Sequence, residues 1–300
     1  MPWQLLLPHH WLTWVALGLY RGLTLLPHPV LMTLGRNAGR IAMRALSGRM
    51  AIAKRNIEAC FPHLDAVEQR RLLVAHFESL GMGVMEVGMS WWWQPKKLDD
   101  LAEFDGLEYL EQAVSEGKGV LLFGAHFTSM EIGGRILADK IPLDVMYRRS
   151  NNPVVEYVVS RARGRLCRQL IQRNEVKLLV RSLKQGHVIW NAPDQNTQRK
   201  KAVFVDFFGH KTSTTPVTAR LAAISGATVV PFRTIRKSGG EGYRLEFEAP
   251  LAEFPTGDLI RDTQRTTDII AHWVEASPEQ YLWIHRRFRT RPDPSDASFY

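Results

Sequence analysis

From Gly117 onward, short apolar runs alternate with segments of helical period, and few architectures accept a chain patterned in that way. The runs at 120–123, 143–147, 188–190, 203–207 and 229–232 read as strands, and the segments at 131–139, 154–170, 176–184 and 216–225 read as helices. Parallel strands need a crossover of a dozen or more residues, which a helix supplies, so the alternation indicates a layered α/β domain. Its sheet is largely parallel or mixed and flanked by helices. Gly239-Gly240 followed by an alternating run at 243–247 adds a hairpin or edge strand, and a helix spans 259–275. The α/β core thus occupies 116–300, behind a helical lead-in at 31–115.

The rest of the composition excludes several classes. Hydrophobic residues make up 45% of the chain and charged residues 23%, which is globular and not disordered usage. The two cysteines, Cys60 and Cys167, stand outside any C-x-x-C pattern, so neither a disulfide scaffold nor a zinc cluster is indicated. A net charge of +9 calls for an anionic partner: nucleic acid, acidic lipid or acidic protein. Nine Trp among many Leu and Arg favour the membrane interface among these. Residues 11–27 are apolar apart from Arg21, near the lower limit of the about 20 residues a crossing helix needs. No Lys or Arg precedes this stretch, whereas Arg36, Arg40, Arg44, Arg49, Lys54 and Arg55 follow it, which places the bulk of the chain in the cytoplasm. The expectation is a membrane-anchoring helix at 1–30 and a cytoplasmic domain at 31–300; a helix buried in a soluble domain, or one lying in the interface, are the alternatives. Arg36, Arg40 and Arg44 form one basic stripe on a helix, suited to an anionic surface or merely solvated. A long helix at 66–93 ends in Met82, Met85, Met89 and Trp91-Trp92-Trp93, a set fit for core packing, for lining an acyl chain or for interfacial anchoring.

Candidate chemistry concentrates at G-A-H-F-T-S-M-E, residues 124–131. An apolar strand ends at Phe123, Gly124 and Ala125 turn the chain, and His126 sits at the mouth of the sheet, where open α/β sheets bind ligands. Glu131 falls in the first turn of the next helix. A carboxylate folded back from there onto the imidazole would fix its tautomer and stabilise its protonated form, freeing the other nitrogen to take a proton from a hydroxyl. Taken alone, H-x4-E describes a structural pair as well as a dyad. No H-E-x-x-H, G-x-S-x-G or Walker A loop offers another chemistry.

GAHFTSME, YRRSNNP (147–153), APDQN (192–196), VFVDFFGHKTSTTP (203–216), VVPF (229–232) and PEQYLWIHRRFRTRP (278–292), in that order, resemble the lipid A late (lauroyl/myristoyl) acyltransferases. These are distant relatives of the glycerophosphate acyltransferases with their His-x4-Asp motif. The resemblance runs over nearly the whole chain. It implies a glycerophosphate-acyltransferase-like fold at the cytoplasmic face of a bacterial inner membrane. The reaction implied is transfer of a fatty acyl group from an acyl-carrier-protein thioester to the 3-hydroxyl of an acyl chain on a lipid A precursor. His126 matches the general base and Glu131 its partner; Arg163, ten residues after Pro153, and Asp194 in APDQN match functionally important positions. Arg149 stands where some relatives carry proline. No metal or organic cofactor is implied.

Read without the resemblance, Arg163 would bind phosphate, brace the site or simply be solvated, and Asp194, after a strand and Pro193, is also a turn former. Arg148, Arg149, Arg199, Lys200 and Lys201, with His285, Arg286, Arg287, Arg289 and Arg291, are loop cations for lipid phosphates, an acidic carrier protein or solvent. Two rival functions remain: a glycerophospholipid (lysophospholipid) acyltransferase using the same dyad, and a non-catalytic basic membrane-binding protein. No helix-turn-helix or RNA-binding aromatic signature supports a nucleic-acid partner.

Overall fold

The structure, a computed structural model, describes residues 1–147, 149–165, 167–172 and 175–300. Helices come first: α1 (Trp11–Leu23), α2 (His28–Ala45), α3 (Ser47–Cys60), α4 (Ala66–Trp92) and α5 (Pro95–Asp99). The α/β part follows as β1 (Ala102–Asp105), α6 (Leu107–Ser115), β2 (Val120–Phe123), α7 (Met130–Ala138), β3 (Leu143–Tyr147), α8 (Pro153–Arg163), β4 (Gln169–Gln172), α9 (Val176–Lys184) and β5 (Val188–Asn191). It closes with β6 (Val203–Phe207), β7 (His210–Thr214), α10 (Val217–Ser225), β8 (Thr228–Arg236), β9 (Tyr243–Phe247) and α11 (Leu259–Ala276).

Seven strands form one sheet in the order β1-β9-β8-β2-β5-β3-β4. All neighbours are parallel except β8 and β9, the hairpin that Gly239-Gly240 announces. Strand alternation sends side chains to two faces: Leu121, Phe123 and Ile189 join α9, α10 and α11 in one core, while Val120, Leu122 and Val188 join α6 and α7 in the other. The helix after β2 and the helix after β5 therefore lie on opposite faces. A crevice opens between them at the carboxyl ends of these two central strands.

α4 runs behind this crevice. Asp65 caps it in a full capping box with Glu68, which satisfies its first amides. Leu73 and Phe77 enter one core, Met85 and Met89 the other, so the lead-in helices share the sheet's cores and form no separate unit. α2 crosses α4 at backbone contact: a Cβ on Gly81 would fall 2.0 Å from the Gly35 carbonyl oxygen, which only glycine allows. That closeness also brings Glu78 of α4 to Arg36 (3.7 Å) and Arg40 (2.6 Å), so two of the three stripe arginines are paired within the fold.

Other expectations need correction. The helix expected over 154–170 stops at Arg163; Gly164 follows, and Leu170 and Ile171 pair with Val145 and Met146 in the edge strand β4. The 203–207 run lies outside the main sheet. It pairs only with β7, through a two-residue turn at Phe208 (φ 51°) and Gly209 (φ 75°), the left-handed pair of a type I′ hairpin. In the N-terminal stretch α1 has 13 residues, fewer than the about 20 of a crossing helix, and none of them is buried. Among the described residues, the helix long and apolar enough to cross a membrane is α4, and 61% of its apolar window is buried within the protein.

Candidate active site

The parallel register of the two central strands pairs Phe123 with Asn191. Each strand then runs three residues further, and these equal extensions bring His126 and Asp194 together across 68 residues of sequence. The His126 ring Nδ1–H donates to Asp194 Oδ1 at 2.6 Å, and the His126 backbone N–H donates to Oδ2 at 3.1 Å. Both carboxylate oxygens thus hold one residue, and the ring's Nε2 is left for a ligand. The Asp194 side chain is 3% exposed and that of His126 24%. Burial alone would raise the Asp194 pKa, but the His126 charge and hydrogen bonds outweigh it and hold the carboxyl at about 2. Burial alone would lower His126; the Asp194 charge and hydrogen bond outweigh that and carry it above its ordinary 6.5.

Glu131 does not contact the imidazole as expected. It takes Arg163 instead, Nε to Oε1 at 2.9 Å and Nη2 to Oε2 at 2.6 Å, a two-pronged fork between the start of α7 and the end of α8. The physical reason is the turn at 127–130: Ser129 donates to the Thr234 carbonyl at 2.7 Å, so α7 begins already turned away, and its first carboxylate faces α8. The charge of Glu131 outweighs the burial that would lower the Arg163 pKa, and raises it.

His126, Glu131 and Arg163 line one cavity of about 360 Å³. Trp91, Met130, Gly134, Met146 and Trp190 supply its apolar walls. The Met and Trp run of α4 therefore divides three ways: Met85 and Met89 are core, Trp91 lines the cavity, and Trp93 donates to the Thr24 carbonyl at 2.6 Å to dock the end of α1. Arg135 also lines the cavity, paired with Asp139, and sequence reasoning missed it; the four-residue spacing Glu131–Arg135–Asp139 was the available signal. Cys167 is a free thiol on the same wall, pushed up to about 11 by burial.

The remaining candidates lie elsewhere. Arg149 reaches Glu156 at 3.7 Å and stays outside the cavity lining, and Arg148 lies outside the described residues. Arg199 is tied to the carbonyls of Arg291 and Pro292. Arg287 is buried against Thr214 (2.7 Å), whereas its neighbours Arg286 and Arg289 face outward.

The motif loop is held from behind by residues the sequence did not single out. The Thr128 amide donates to the Gln280 carbonyl (2.8 Å), and the Leu282 amide donates to the His126 carbonyl (3.0 Å). Arg236 forks onto Glu86 (2.5 and 2.7 Å) and donates to Ser79 (2.9 Å), whose hydroxyl meets that of Thr128 at 2.6 Å. Arg236 and Glu86 are both fully enclosed, so this pair fixes the loop from inside the core.

A buried carboxylate–imidazole pair at a sheet mouth, opening on an apolar cavity that also holds a fixed arginine, suits activation of a hydroxyl beside a long apolar group. Comparisons agree. Residues 1–290 match the family described as bacterial lipid A biosynthesis acyltransferase. The chain is 36% identical to the lipid A biosynthesis lauroyltransferase of Escherichia coli (strain K12), over 96% of this chain and 95% of that one. It is 38% identical to the palmitoleoyltransferase of the same strain, over 99% and 97%, and 27% identical to its myristoyltransferase, over 95% and 88%. The chain belongs to the bacterial lipid A biosynthesis acyltransferase family.

Proposed function

We propose that this acyltransferase moves a fatty acyl group from an acyl-carrier-protein thioester to the 3-hydroxyl of an acyl chain on a lipid A precursor, with His126 as the general base. The observation that carries the reading is the 2.6 Å bond from His126 Nδ1 to Asp194, which leaves Nε2 at a cavity with apolar walls. Nε2 takes the acceptor's hydroxyl proton as the oxygen attacks the thioester carbonyl. The carbon–sulfur bond then breaks, and the imidazolium returns the proton to the leaving thiolate, with no acyl-enzyme between. Asp194 keeps the tautomer and stabilises the imidazolium. Glu131, which the sequence suggested as the dyad partner, is assigned instead to positioning Arg163, whose guanidinium shares the cavity with His126 and would meet charge developing on the carbonyl oxygen. The fold is read as glycerophosphate-acyltransferase-like, and no cofactor enters the chemistry.

Residues 1–30 are proposed to attach the chain to the cytoplasmic face of the inner membrane by lying in the interface, with 31–300 as the catalytic domain. Trp3, Trp11, Leu12, Leu19 and Leu25 are each more than 60% exposed, and α1 packs beside the cavity through Tyr20 against Trp91 and Trp92. Burying one large apolar side chain is worth about 1.5–3 kcal/mol. Trp11→Glu with Leu12→Glu is therefore expected to weaken binding to anionic vesicles by about 100-fold or more in a sedimentation assay. Unchanged binding would remove α1 from the attachment.

The acceptor test uses the purified full chain with acyl-carrier-protein thioester and either a lipid A precursor or a lysophospholipid, with products weighed by mass spectrometry. One added acyl group on the lipid A precursor is expected. Transfer to the lysophospholipid alone, or no thioester consumption, would reject the reading. The base must be neutral to act, so kcat/KM should rise with pH along an acid limb whose midpoint lies above 6.5, since Asp194 holds the His126 pKa up. A limb centred below 6.5 would contradict that assignment.

A further inference from the structure

We infer that a second, basic cleft beside His126 binds a phosphate group of the membrane-borne acceptor. The inference rests on the proposed reaction. This cleft, of about 650 Å³, lies between the first turn of α3, Asn196 and the segment from His285 to Arg289, and shares no lining residue with the acyl cavity. The two open on opposite faces of the sheet: α7 and Trp190 wall the cavity on one side, while Ile57, Trp283 and Phe288 pack beneath the cleft on the other. Both reach the same catalytic loop. Asn196 follows Asp194 by two residues, and Leu282, which holds the His126 carbonyl, precedes His285 by three.

Its charge has one sign. Arg49, Arg286 and Arg289 line it, and among the described residues none of the three has a carboxylate within 4 Å, nor does any Asp or Glu line the cleft. The first turn of α3 adds amides with no side-chain cap and no acidic residue beside them. Three arginines lining one cleft, with Arg49 anchored on the Ile284 carbonyl at 3.2 Å, and the amides of a helix start suit the oxygens of a phosphate. The walls are built to stay: Asn56, wholly buried, donates to the carbonyls of Trp283 (2.7 Å) and His285 (2.8 Å), and the Asn196 amide donates to His285 Nε2 at 3.0 Å. The same bond requires a neutral His285, and burial holds it at about 4.

The rim identifies the occupant. Leu46, a lining residue, is 52% exposed, and Ile41, on the preceding helix α2, is 66% exposed. A concave, cationic cleft with an exposed apolar residue on its lip fits an amphiphile with a phosphorylated head better than the convex acidic face of a carrier protein.

The test is the steady-state kinetics of Arg286→Ala with Arg289→Ala in the full chain, with melting temperature as the folding control. KM for the phosphorylated lipid A precursor is expected to rise about tenfold or more, the size of one or two charged hydrogen bonds, while KM for the acyl-carrier-protein thioester holds. Dephosphorylated precursor should bind wild type and variant alike, and inorganic pyrophosphate should compete with the acceptor on wild type only. Arg286→Lys with Arg289→Lys should recover part of the loss. A rise confined to the thioester's KM would make the cleft a carrier-docking site and overturn the inference. Equal kinetics in wild type and variant would overturn it too, whereas wild type that transfers no acyl group would refute the proposed reaction itself.

Discussion

His126→Ala is expected to lower acyl transfer by about 10²–10⁴-fold, the usual contribution of a positioned general base. The loss should fall on kcat more than on KM, because the apolar walls that would hold the acyl chain are untouched. Alanine also strands Asp194, which is almost fully buried and would lose the imidazole that it holds at hydrogen-bond distance. Some stability should go with it. His126→Gln is the companion variant: its amide can donate to Asp194 but cannot carry a proton from an alcohol to a thiolate. It should melt close to wild type and remain as inactive as alanine, measured by product mass spectrometry and thermal unfolding on the same preparations. Turnover within a few-fold of wild type in His126→Gln would remove the imidazole from the reaction.

The second large effect is structural and lies behind the catalytic loop. Arg236→Met leaves Glu86 charged and enclosed, and breaking such a pair from one side costs about 3–5 kcal/mol. Denaturant unfolding should show that loss. Transfer should fall as well, since Ser79 and Thr128 lose the guanidinium that ties them to β8. Replacing both partners, Arg236→Met with Glu86→Leu, should restore most of the stability, because an apolar pair leaves no buried charge unpaired. If the double variant is no more stable than the single one, the pair's role is not electrostatic.

Much of the architecture could be read from the chain, for a physical reason. β2, β3, β5 and β8 carry dense apolar runs because the sheet is covered on both faces, and such runs survive in any window of sequence, while β9 shows through its alternation. β1, with the sequence AEFD, and β4, with QLIQ, lie at the sheet's two edges, where half the pattern faces solvent and no period forms. β7 could not be read because its Thr and Ser residues are buried by hydrogen bonds, such as Thr212 to the Val205 carbonyl at 3.1 Å, and not by apolarity.

The site was legible as a set of residues and not as a set of contacts. His126, Glu131, Arg163 and Asp194 do meet around one crevice, but their pairing is decided by strand register and by the entry angle of α7. Sequence proximity suggested His126 with Glu131; the parallel sheet gave the imidazole to a residue 68 positions away. Arg36 and Arg40 likewise read as a surface stripe, because Glu78 stands on another helix that only the close glycine crossing brings near.

The account therefore turns on which carboxylate sets the His126 proton affinity, and pH–rate profiles of Asp194→Asn and Glu131→Gln beside wild type address it most directly. In Asp194→Asn burial still disfavours the imidazolium while its counter-charge is gone, so the acid limb should move from above 6.5 to below it, with a lower plateau. Glu131→Gln should depress turnover while leaving that limb where wild type has it. A limb that shifts with Glu131 and ignores Asp194 would contradict the account.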